Sequence, residues 1–138
     1  MVRALTDAGI GCSVLMAPVI PFLGDRPEQL RATVAAVAEA GAASVTPLVL
    51  HLRPGAREWY MHWLGQHHPH LVERYERMYA GGAYAPTWYQ RRITRQVHEL
   101  ADEFGIGPAH RGAARRIAQA PPVPAAAPEP GPTQLTLL

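Results

Sequence analysis

Gly11-Cys-Ser-Val-Leu-Met-Ala-Pro-Val19 decides the fold class. It is a nine-residue apolar run bounded by Gly and Pro, too short for a helix and without polar alternation. That pattern predicts a strand buried on both faces, as in parallel sheets. A second run of the same kind, Ser44-Val-Thr-Pro-Leu-Val-Leu50, follows after a helical stretch. There Leu30, Val34, Val37 and Gly41 recur at helical spacing, with Gly41 as the stop. Asp25 and Glu28 stand three apart around Pro27, close to a capping box at the start of that helix. Upstream, Val2 to Ala8 reads as a helix end closed by Gly9. The order is helix, strand, helix, strand: α/β, with one βαβ unit and a parallel pair. Pro47 cannot donate to a ladder, which places the second strand at a sheet edge.

The second half reads as helical. Ala56 to Gln66 puts Trp59, Tyr60, Trp63 and Leu64 on an inward face. Pro69 opens a helix with Leu71, Val72, Tyr75, Met78 and Tyr79 inward, ended by Gly81-Gly82. Pro86 opens another, whose stripe is Tyr89, Ile93, Val97, Leu100 and Phe104. From Ala120 to Pro132 the chain is almost only Pro and Ala, a polyproline-type linker. The expected division is 1–53 for the βαβ portion, 54–105 for a helical extension, 106–119 for a weakly structured basic segment, and 120–138 for a disordered linker and tail.

The chain has 138 residues and a net charge of +2, so a single modest domain is expected and charge alone indicates no nucleic-acid binder. All thirteen cations are Arg and alanine occurs twenty-three times, the usage of a GC-rich genome. The one cysteine, Cys12, excludes an internal disulfide framework and any site built from several cysteines of this chain. It reads as a small core residue. No apolar run is long enough to span a bilayer and no leader pattern is seen, so the expected location is cytoplasmic, with no membrane partner. A lone βαβ unit cannot bury both faces of two parallel strands, so the sequence looks like part of something larger.

In order along the chain, several segments resemble radical SAM proteins of the spore photoproduct lyase-like group, in a branch from GC-rich bacteria. Leu5 to Asp25, with Ala17-Pro-Val-Ile-Pro-Phe-Leu23 after an apolar strand, is similar to the fifth barrel strand and its flanks. Ala40-Gly41-Ala42, Leu52-Arg53-Pro54-Gly55, Trp63-Leu64 and Pro69 resemble the continuation. So do HLRPGAREWY (51–60) and GAYAPTWYQRRITRQ (82–96). The resemblance covers about residues 1–105. It implies the C-terminal part of a partial (β/α)6 barrel, with strands five and six present and the N-terminal barrel half missing. In that family a CxxxCxxC loop holds a [4Fe–4S] cluster that binds S-adenosyl-L-methionine (SAM). This chain has no such loop, so it is expected to be an incomplete, lyase-like enzyme, not catalytic alone, and no catalytic residue is assigned.

Ligands of barrels sit at the carboxyl ends of strands. There the resemblance implies SAM contacts from Ala17, Pro18, His51 and Arg53. Without it, His51 reads as a half-buried loop residue and Arg53 as a surface cation. Arg91, Arg92 and Arg95 gather near the start of their helix while Glu99, Asp102 and Glu103 lie near its end, against the helix dipole. A DNA-facing patch beside Trp88 and Tyr89 explains that cost; a solvated Arg95–Glu99 pair is the plainer reading. His62, His67, His68 and His70 suggest metal, but Pro69 divides them and nothing fixes four ligands. Gln134, Leu135, Leu137 and Leu138, in Gln-Leu-Thr-Leu-Leu, resemble the bacterial sliding-clamp-binding pentapeptide, carried on the Pro/Ala linker. The competing function is therefore a non-catalytic DNA- or clamp-associated adaptor.

Overall fold

The computed structural model describes residues 1–106. Its elements run α1 (Val2–Asp7), β1 (Ser13–Val19), α2 (Pro27–Glu39), β2 (Ser44–Val49), α3 (Ala56–His67), a 3-10 turn (Pro69–Leu71), α4 (Val72–Met78) and α5 (Thr87–Glu103). The protein is thus mixed α/β. β1 and β2 pair in parallel, with Ser13 opposite Ser44 and Met16 opposite Pro47. The ladder is irregular between Met16 and Val19, and the Ala17–Pro18 peptide is cis. Among the described residues the sheet has these two strands alone, and each is an edge.

Helices cover one face of this pair. Val45 and Pro47 are buried there, with Val14 and Met16 half-buried beside them. α5 packs on β2, and α2 packs on α5. Leu30 and Val34 of α2 and Ile93 and Val97 of α5 are shut from solvent. Each such side chain contributes roughly 1.5–3 kcal/mol through burial. The opposite face is bare. Leu15 is 67% exposed and Leu48 49% exposed, and Ala17 and Thr46 are exposed with them. The expectation that the first strand is buried on both faces is therefore corrected. β1 alternates in burial because helices pack on one side only, and its apolar composition is spent on a face that nothing in residues 1–106 covers.

Two further expectations change. Arg26, not Asp25, precedes the first turn of α2, and its N–H is accepted by Gln29 Oε1 at 3.3 Å. Trp59 is 69% exposed; the inward side of α3 belongs to Tyr60 and Leu64, about 100° round the helix from it. Gly41 ends the α2 segment at φ +85°, and a Cβ there would meet Thr6 Oγ1 at 3.0 Å. That close approach lets the Thr6 hydroxyl donate to Ala40 O at 2.9 Å and docks α1 on the end of α2. The segment 107–138, including Arg111, Arg115, Arg116 and the Gln134–Leu138 motif, lies outside the described residues.

Candidate functional site

The carboxyl end of the sheet gathers most of the polar and aromatic side chains of interest. Both strands leave it after the Val19–Val49 pair, where Leu50 N–H donates to Val19 O at 2.9 Å. Buried tyrosines from the helical half then tie down both exits. The Tyr79 hydroxyl donates to Leu50 O, just past β2. The Tyr75 hydroxyl donates to Pro21 O, just past β1, and accepts from Tyr60 at 3.0 Å. The Tyr89 hydroxyl donates to Asp25 Oδ2 at 2.7 Å. Burial pushes the phenols of Tyr75, Tyr79 and Tyr89 well above the usual tyrosine range; for Tyr89 the hydrogen bond to Asp25 acts in the same direction. Tyr60 is raised for the same first reason. These hydroxyls are donors fixed in place at neutral pH, not acid–base groups.

Ala17, Pro18, His51 and Arg53 all lie at this end and all are exposed. His51 forms an antiparallel bridge with Tyr84, and Leu52 N–H donates to Ala83 O at 2.7 Å. The bridge stacks the His51 and Tyr84 rings, with centroids 4.8 Å apart and planes within 6°. The sequence pattern does not mark Tyr84. It lies in a Gly-Gly-flanked connection with no periodicity, so only the bridge reveals it. The stacked pair offers a flat, open aromatic surface two residues before Arg53 in the chain, chemistry suited to a planar ring carrying polar substituents.

The three arginines of α5 divide. Arg91 and Arg95 share one outward groove with His98, Glu99 and Asp102. Arg92 turns away: its guanidinium lies 3.3 Å from Asp25 Oδ2 and 4.9 Å from the Tyr89 ring centroid. It is a bracing cation for the β1 exit. Among the described residues no ion pair joins Arg95 to Glu99, whereas Glu103 pairs with Arg31 of α2 through both guanidinium nitrogens. That contact holds the Glu103 carboxyl below its usual range and raises Arg31.

The histidines of this segment have separate partners or meet in a pair. His67 Nδ1 lies 2.9 Å from Trp63 O with the two rings stacked, and His62 Nε2 lies 3.1 Å from Gln66 Nε2. His68 and His70 meet edge to face at 6.0 Å. Cys12 precedes β1, half-buried, with its thiol 3.6 Å from Ile10 O.

No family model matches the chain, and no solved structure matches it. It is similar to uncharacterized proteins of Mycobacterium tuberculosis (strain H37Rv) and Mycobacterium bovis, at 39% identity over 113 residues. The match takes in 82% of this chain and 33% of each relative. The chain thus spans about a third of the length of the curated relatives it matches.

Proposed function

We propose that this chain is one portion of a SAM-dependent radical enzyme: the last two strands of its barrel wall, with a helical extension that contacts DNA. The observation that carries the reading is the one-sided sheet. A parallel pair with helices on one face and exposed leucines, Leu15 and Leu48, on the other has the layering of a barrel wall. The bare face would line the enclosed site. The position of His51, Arg53, Ala17 and Pro18 at the carboxyl end supports their role toward SAM, and the stacked His51–Tyr84 surface suits its adenine. Arg91 and Arg95 are the residues proposed to face DNA phosphates, with Arg92 in a bracing role.

The residues present do not fit the iron–sulfur cluster. Three thiolates are needed and the chain has one cysteine. The chain is therefore read as contributing cofactor-facing surface and substrate contacts, with the cluster and the SAM-cleaving step belonging to another part of the complete enzyme.

Anaerobic reconstitution with iron and sulfide tests this. The full-length Mycobacterium tuberculosis relative should assemble a [4Fe–4S] cluster and cleave SAM to 5′-deoxyadenosine under reduction, while this chain alone should take up no cluster. A relative without iron, or a stoichiometric cluster on this chain alone, overturns the reading.

A second reading rests on Gln134–Leu138. As a sliding-clamp anchor, this motif would make the chain a DNA-associated adaptor. A peptide of the last ten residues should bind a bacterial clamp, and Gln134→Ala and Leu137→Ala should abolish binding. Equal binding by the variants, or none by the parent, sinks it.

A further inference from the structure

The loop after β1 closes with α4 and the start of α5 on a groove that the barrel reading leaves unused. Phe22, Arg74, Arg77, Met78, Pro86 and Trp88 line it, around about 360 Å3 of space. That is the lower end of small-ligand sites and accommodates one nucleotide unit.

Its chemistry is specific. Trp88 is 62% exposed, yet its ring is set edge to face on buried Tyr89, with centroids 5.8 Å apart. Its remaining face is open to solvent and available for a base to stack on. Phe22 has φ +65°, the left-handed region that a bulky side chain rarely adopts. The strained turn seats its ring edge-on against Tyr75, at 5.6 Å, and beneath the Arg74 guanidinium, 4.2 Å from the ring centroid. Arg74 has no carboxylate within ion-pair distance among the described residues. Arg77 meets Glu73 at 3.7 Å, a long, exposed contact that a phosphate readily replaces. No acidic side chain lines the groove itself. A flat ring, two guanidinium groups and a lining without acids are the elements that bind a base by its face and its phosphate by charge.

We propose that this groove holds one nucleotide of a single-stranded nucleic acid, with the base on Trp88 and the phosphate on Arg74 and Arg77. Arg91 and Arg95 follow Trp88 by one and two turns on the same outward side of α5, so a strand leaving the groove meets further cations. The proposal stands on this groove and does not depend on the barrel reading.

Fluorescence anisotropy of a labelled oligothymidylate with the full chain tests it, against a duplex of equal length and free thymidine monophosphate as competitor. The single strand should bind, more weakly as salt rises. Trp88→Ala and Arg74→Gln should each weaken it about tenfold or more. Trp59→Ala, which removes a similarly exposed tryptophan on α3, should leave affinity unchanged, and Arg74→Lys should restore part of it. All three positions are exposed, and circular dichroism checks that the variants fold. Absence of binding, equal loss with Trp59→Ala, equal affinity for the duplex, or displacement by the mononucleotide at the oligomer's own concentration overturns the proposal.

Discussion

The hydroxyl of Tyr75 donates to the carbonyl of Pro21, fifty-four residues earlier in the chain. This bond joins α4 to the exit of β1 inside the core, and Tyr60 completes the chain of donors behind it. Its loss leaves a buried carbonyl without a partner. Tyr75→Phe is expected to cost about 1–3 kcal/mol, because the orphaned acceptor loses its water as well as its donor. Urea denaturation reads this as a lower midpoint at constant slope. A midpoint within error of the parent would mean that the Pro21 carbonyl finds water instead.

Alkaline pH should unfold the chain cooperatively. Four of its five tyrosines are raised above the usual range, first by burial. In the unfolded chain they ionise near pH 10, while in the folded chain they stay protonated. A raised folded-state pKa contributes stability fully present below pH 10 and lost as pH rises beyond it. Each such tyrosine removes about 1.4 kcal/mol of stability per pH unit in that range. Phenolate absorbance and far-ultraviolet circular dichroism should therefore change together. A phenolate signal from these groups well ahead of the loss of helix would contradict the buried network.

Asp25 and Arg92 should prove unequal partners. The Asp25 side chain is only 10% exposed and accepts from both Tyr89 and Arg92. Asp25→Asn is expected to cost about 1.5–3 kcal/mol, the range for hydrogen bonds to a charged group. Arg92→Gln leaves the Tyr89 bond in place and removes a half-exposed ion pair, so about 1 kcal/mol or less is expected. Thermal melts order the two. In the anisotropy assay, Arg91→Gln and Arg95→Gln should each lower the salt dependence, and Arg92→Gln should not.

On the bare sheet face, Leu15→Glu and Leu48→Glu should leave the stability of the isolated chain within about 0.5 kcal/mol of the parent, because both side chains already face solvent. Size-exclusion chromatography should show less self-association in both variants. A large loss of stability would mean that another part of the chain covers this face.

The helical half was legible because its signals are local. The α5 stripe through Tyr89, Ile93 and Val97 repeats at helical spacing, and all three are buried. Pro69 and Pro86 marked breaks that the chain does make, although Pro69 begins a 3-10 turn ahead of α4. The strands were legible as strands. What β1 buries was not: an apolar run reports only that a strand prefers burial, not whether a covering layer is at hand. The site divided in the same way. His51 and Arg53 could be placed at a strand end by position, whereas Tyr84 could not, since its partner is fixed by a bridge across thirty-three residues. Phe22 and Arg74 likewise meet only through a turn whose left-handed residue is not a glycine.

The seven residues of β1 use one edge to pair with β2; the described residues offer no strand for the other. An apolar strand with a free row of amides and carbonyls is a template for any other extended chain, including a second copy of itself. Production of this polypeptide on its own therefore carries a solubility hazard seated at Val14–Met16. A chaperone or fusion partner that occupies this edge should raise the soluble yield more than one attached elsewhere.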